Sequence, residues 1–280
     1  MTSSSDGPPP VQAALLAEHQ RLLEEAVEVM NSAIPKAKPY GDQIFLMLAS
    51  RVLQYGGALQ VLCEAGHSGE AGPTARAMLS AGIELTYLGE DREGHSMAYV
   101  AEDHRVRLGR ITEIEQEAQR AATERTKFFV PQQEIDAIRA ELKRITAIED
   151  QRLADWREGH NITATKGGQQ DSKSWHGFAG EKELFRAMGW LRLYIGYYRL
   201  LSDETHVNAN SLAGEVPALT GGANIGARFE DPIHVVKVSG EMVLQTVAQV
   251  NAAFGLGQEE RIKTMNGRIG AALTTYNQQR

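Results

Sequence analysis

An all-α fold, a multi-helix bundle carrying a long antiparallel helical hairpin, is what the sequence predicts, and three observations predict it. Apolar residues recur at steps of three and four over most of the chain, the period of one helix face. Prolines fall at the joints between those stretches (Pro35, Pro39, Pro73, Pro131), where the ring and the missing N–H oppose helix. No internal repeat and no second composition regime interrupts the pattern. Residues 11–280 therefore read as one all-α domain, with 93–158 as a hairpin embellishment and 1–10, rich in Ser, Gly and Pro, as a disordered tail.

Taken in order, Leu15, Leu16, Leu22, Leu23, Val27 and Met30 predict a helix from Val11 to about Ile34. Asp42 is placed to cap a second, running through Ile44, Leu48, Val52 and Leu59 to about Ala65, with Gly56-Gly57 marking a close approach or a kink. Gly72-Pro73 opens a third, Thr74 to about Leu88, apolar except for a wedge of Arg76, Ser80, Glu84 and Tyr87. That wedge either faces water or lines an internal polar site. Two amphipathic helices follow, joined near Val130-Pro131, on the spacings Leu108, Ile111, Ile114 and Ile135, Ile138, Leu142, Ile145. A polar, Gly-rich segment from Gly159 to Gly180 breaks the pattern, with Trp175-His176 its one large aromatic feature. The stripe Leu184, Met188, Leu191, Ile195, Tyr198 then predicts a helix from Glu181 to Leu201. Ser202 is placed to cap a short helix to Leu212, and Ile233–Val238 reads as an extended piece. Helices over Ser239–Phe254 and Gln258–Tyr276 close the chain.

Composition bounds the function. A net charge of −7 argues against broad binding along a phosphate backbone, which needs dense Lys and Arg. The single cysteine, Cys63, lies in an apolar stretch and cannot form an intrachain disulfide, so a reducing compartment fits. No run of about 18 apolar residues predicts a membrane span, and MTSSSDGPPP lacks the pattern of a secretory signal. A cytoplasmic protein is expected.

Chemistry concentrates between Trp175 and Leu212. An unbroken helix would put Arg199, Ser202 and His206 together on its core-facing side, where each needs a partner. His206 is either a satisfied structural histidine or a working acid–base. Tyr194, Tyr197 and Tyr198 are packing or a stacking surface for bases. No metal is expected, because the eight histidines show no His-x3-His pair and there is no Cys pair. No cofactor is expected either. Gly221-Gly222-Ala-Asn-Ile-Gly226 follows no strand and reads as a loop, and no Gly-x-Ser-x-Gly elbow surrounds Ser202.

The order Lys173-Ser-Trp-His-Gly, then Tyr197-Tyr-Arg-Leu-Leu-Ser-Asp-Glu-Thr-His206-Val-Asn, with the upstream run Arg76-Ala-Met-Leu-Ser-Ala-Gly-Ile-Glu-Leu-Thr-Tyr-Leu88, resembles a family of helical, mostly bacterial proteins known only as a domain of unknown function. The likeness covers roughly residues 44–212. It implies an all-α fold and no activity. More loosely, Arg199 and His206, with six residues between, resemble the Arg-x(4–6)-His motif of the helical HEPN domains. That likeness implies a metal-independent ribonuclease, with His206 as acid or base on a ribose 2′-hydroxyl, Arg199 on the phosphate, and a homodimer. Arg76, Glu84, Trp175, Tyr198 and Ser202 are the candidate substrate-binding residues. The competing expectation is a non-catalytic helical binding protein, in which the same residues form a structural or ligand-holding network and the 93–158 hairpin recruits a protein partner.

Overall fold

In the computed structural model, residues 9–124, 130–159, 175–198 and 232–279 are described. In chain order the helices are α1 (Pro10–Ala33), α2 (Gly41–Glu64), α3 (Gly72–Glu90), α4 (Arg92–Thr123), α5 (Gln132–Gly159), α6 (Glu181–Ala187), α7 (Leu191–Leu193), α8 (Ile233–Phe254) and α9 (Glu259–Gln279). Among the described residues there is no strand, and the chain is an all-α multi-helix bundle. It divides into two compact units, 1–89 with 184–280, and 90–183.

In the first unit α1 and α8 are the central pair: each packs on the other and on α2 and α9. The apolar spacing found much of the core: Leu15, Leu16, Leu22, Leu23 and Met30 of α1 and Leu48, Val52 and Leu59 of α2 are buried. Val27 is instead 46% exposed and Val29 is buried in its stead, and Phe45 of α2, Val243 and Val247 of α8 and Met265 of α9 are buried beside them. Each fully buried side chain of this kind stabilises the fold by about 1.5–3 kcal/mol. Gly56 is the close approach that its sequence position suggested. A Cβ there would stand 2.7 Å from Leu23 Cδ2, whereas Gly57 faces open space. Asp42 lies in the first turn of α2 rather than at its cap, which is Tyr40, and accepts a hydrogen bond from the Lys38 amide at 2.9 Å. By length and composition α2 would pass for a membrane span, with a mean hydropathy of 1.2, and half of that window is buried in the bundle.

A polar chain crosses this core. Gln60 Oε1 lies 2.6 Å from His19 Nδ1, and His19 Nε2 lies 2.8 Å from Ser239 Oγ. The amide of Gln60 donates to Leu16 O at 3.1 Å and to Glu64 Oε1 at 2.6 Å. Because Gln60 Oε1 can only accept, the His19 proton sits on Nδ1 and Nε2 accepts from the Ser239 hydroxyl. The seam between α1 and α9 is ionic: Arg268 reaches Glu18 at 2.7 Å and Glu25 at 2.8 Å, and Arg261 pairs with Glu28. Lys36 donates to the carbonyls at the C-terminal end of α8, Phe254 O at 3.2 Å and that of the cap residue Gly255 at 3.1 Å, where a cation is favoured.

Two expectations are corrected here. Ile233–Val238 is not extended but forms the first turns of α8, where Ile233, Val236 and Val238 are buried. Core burial overrides the local preference of β-branched residues for strand. The helix expected over Glu181–Leu201 is broken. Gly189 adopts a left-handed φ of +76°, and the amide of Trp190 turns back to Phe185 O at 2.7 Å, closing α6. The stripe therefore does not share one face: Leu184 and Tyr198 are buried while Ile195 is 55% exposed.

In the second unit α4 and α5 pack along their lengths. Arg105 pairs with Asp150 at 2.5 Å and Arg139 with Glu115, so partners rise on one helix as they fall on the other, which is antiparallel pairing. Asp91 caps α4 through the Gly94 amide at 3.1 Å, and a Cβ on Gly94 would run into the indole of Trp156.

Burial pushes the His19 imidazole below its usual 6.5, against the hydrogen bond it donates to Gln60 and the charge of Glu64. The sign follows directly. Below 6.5 the unfolded chain takes up a proton that the folded protein refuses, so stability falls as pH drops through that window. Urea unfolding should therefore show His19→Gln to be about 1–3 kcal/mol less stable at neutral pH, with a flatter dependence than wild type towards about pH 5. Parallel pH curves for the two proteins would contradict the buried neutral histidine.

Candidate functional site

The predicted site residues divide by where they fall. Arg199, Ser202 and His206, with the short helix expected after Ser202, lie outside the described residues. Arg76, Glu84 and Tyr198 belong to the first unit, Trp175 to the second.

Arg76, Ser80, Glu84 and Tyr87 follow one another along α3 at helical spacing and are all half-buried, between the two readings of the wedge. Behind them α3 is anchored. Met78, Leu79, Ile83, Leu85 and Leu88 are buried, and Gln249 of α8 donates to Thr86 Oγ1 at 2.9 Å. At Gly82 a Cβ would stand 2.9 Å from Met242 Sδ, so the glycine lets α3 approach α8 closely.

The structure brings Arg76 and Tyr198 together. The Arg76 guanidinium carbon stands 5.0 Å from the centre of the buried Tyr198 ring, a cation–π contact. Tyr198 is the last residue of a π turn, Tyr194–Tyr198, that continues from α7. Its ring is stacked on Tyr194 at 5.1 Å and 16°, and Phe185 of α6 packs obliquely on both at 5.4 Å. Buried Phe185 thus carries the aromatic pair, and the pair carries the guanidinium. Glu84 lies two turns along α3 from Arg76 and shares its half-buried stripe.

Trp175 is held in a separate aromatic group. Its ring meets Tyr99 edge-on at 4.9 Å and His176 at 5.6 Å, and His176 packs on Phe178 at 5.6 Å. The Phe178 amide donates to His176 Nδ1 at 3.2 Å. Burial lowers the His176 pKa, opposed by Glu181. Cys63 is buried, and desolvation pushes its thiol up to about 11, which leaves negligible thiolate at neutral pH. Among the described residues no group of three His, Cys, Asp or Glu side chains is arranged to hold a metal ion.

Two features escaped the sequence reading. The His19–Gln60–Ser239 chain joins residues 41 and 220 positions apart. Its one local signal was a histidine set among the leucines of the α1 stripe. Glu241, half-buried beside a groove on α8, gave no signal, since three separate segments build that groove.

Replacing Arg76 by Met keeps an apolar stem over Tyr198 and removes the charge. A double-mutant cycle of Arg76→Met with Tyr198→Leu, read by urea unfolding, should give a coupling of about 0.5–1 kcal/mol. Additive losses would show that the contact contributes nothing.

Comparison with curated proteins and with solved structures gives no match. A family model does match, over residues 42–216. That span takes in α2 to α7, the Arg76–Tyr198 contact and the Arg199, Ser202 and His206 positions. The chain belongs to a family of unknown function, DUF5677.

Proposed function

We propose that the chain is a metal-independent endoribonuclease, in which His206 and Arg199 act on the scissile phosphodiester and Arg76 supplies a second cation. The observation that carries this reading is the Arg76–Tyr198 contact. It fixes a half-buried guanidinium against the residue that immediately precedes Arg199. A phosphodiester needs such charge close at hand, and a chain of net charge −7 must concentrate it locally. The π turn ending at Tyr198 supports the reading, because π turns are rare and recur at functional sites.

The chemistry is transesterification. His206 removes the proton of a ribose 2′-hydroxyl, and that oxygen attacks phosphorus. The bond from phosphorus to the 5′ oxygen breaks, and the leaving oxygen takes up a proton from water, while the proton that His206 removed returns to solvent. The products are a 2′,3′-cyclic phosphate and a 5′-hydroxyl. Arg199 and Arg76 stabilise the negative charge that builds on the phosphoryl oxygens, and Ser202 and Tyr198 hold the site in shape. No step calls for a metal.

A second reading rests on the same wedge. Four half-buried polar side chains on a helix whose apolar face is buried are what a structural or ligand-holding network would also use. Purified protein in excess EDTA separates the two. The nuclease reading expects RNA cleavage that falls about 10²–10⁴-fold in His206→Ala and in Arg199→Ala, with melting temperatures within a few degrees of wild type. Absence of cleavage together with a large drop in melting temperature in both variants assigns the residues to the network.

A further inference from the structure

We propose that the groove between α8 and α9, lined also by the segment Gly189–Leu193, binds an organic ammonium ion with an apolar body, held by Glu241. The groove has a volume of about 880 Å³, within the range of small-molecule sites. It is separate from the Arg76–Tyr198 contact: α3 contributes nothing to its lining. Most of it also lies beyond residue 216, where the family match ends.

Its walls are mainly apolar. Trp190 and Leu193 come from the turn, Met242 and Ala248 from α8, and Ile262 from α9. Met242 itself is almost fully buried, with Gly82 of α3 so near that a Cβ there would stand 2.9 Å from its sulfur. Set into this surface is Glu241. Among the described residues it has no hydrogen bond and no ion pair at contact distance, and the countercharge that acts on it is Lys237, one turn back. Desolvation lifts its pKa, so the carboxylate sits there at a cost that an arriving cation would relieve.

Other charges line the groove, and their exposure decides the sign. Glu259 already accepts from Asn251 at 2.9 Å. Lys263 lies 3.6 Å from Glu260 with its side chain 77% exposed, and Arg192 is exposed as well. A charge at the wet rim is screened, whereas one in the half-buried wall attracts roughly four times more strongly at the same distance. The inner charge is negative. An ammonium group therefore goes in beside Glu241, and the apolar lining, Trp190 and Leu193 among it, takes the apolar body.

Phenethylammonium is a suitable probe, with 3-phenylpropionate as a partner of the same body and opposite charge. Isothermal titration of the full chain should show saturable binding of phenethylammonium and at least tenfold weaker binding of 3-phenylpropionate. Glu241→Gln should lower phenethylammonium affinity at least tenfold. Ala248→Trp, which fills the groove from a half-exposed position, should abolish it, and both variants should melt as wild type. Equal binding of the two probes, unchanged affinity in Glu241→Gln, or no saturable binding of either probe would each overturn the proposal.

Discussion

The hydrogen-bonded chain from Gln60 through His19 to Ser239 is the constraint on which the first unit depends. Three polar side chains on three helices occupy a site where hydrocarbon would ordinarily sit, with His19 at 1%, Gln60 at 2% and Ser239 at 0% exposure. Each is tolerable only because its partners are in place, since an orphaned polar group there costs about 1–3 kcal/mol. Hydrogen bonds are directional and short, so the chain fixes the spacing and the axial offset of α1, α2 and α8 more sharply than apolar contact does. Gly56 completes the arrangement: a Cβ there would crowd Leu23 and come within 3.4 Å of Ser239 Oγ. The order serine, histidine, amide has the look of a nucleophile with its base, but with Ser239 sealed from solvent no substrate reaches it. Its role is architectural.

From that frame the route to the candidate site is short. Helix α8 carries Ser239 on one side and, through Met242 and Gln249, receives α3 on another. Helix α3 then presents Arg76 to Tyr198. The segment bearing Tyr198 reaches it only because Gly189 ends α6 and lets the chain restart in a new direction, finishing in a π turn. A straight helix through Gly189 would have carried Tyr198 along the Leu184 stripe. The break and the π turn instead bring both tyrosines back onto Phe185.

Periodicity made the long helices legible because their burial is one-sided and continuous, as in α1, where Leu15, Leu22, Leu23 and Met30 are buried. It misled where a pattern continued through a break. The steps of three and four run on across Gly189, and one glycine in a left-handed conformation leaves no trace in apolar spacing. At Ile233–Val238 the β-branched residues suggested strand, but a neighbour on each side turned them into helix. The wedge on α3 was legible as a polar interruption of a buried surface, and its contact with Tyr198 was not, because it depends on the restart after Gly189. The His19 chain was invisible for a related reason: periodicity reports which face is buried and not which distant polar group will meet it there.

In the proposed reaction RNA is cleaved by its own 2′-hydroxyl, without a metal. The most direct test uses one RNA oligonucleotide with a mapped cleavage position and a second in which the ribose 5′ to that position is replaced by 2′-deoxyribose. In EDTA the account predicts that the first is cut to a 2′,3′-cyclic phosphate and that the second is left intact at that position while still binding. Cleavage of the deoxy-substituted strand at the same bond, or cleavage that appears only when a divalent metal is restored, would contradict it.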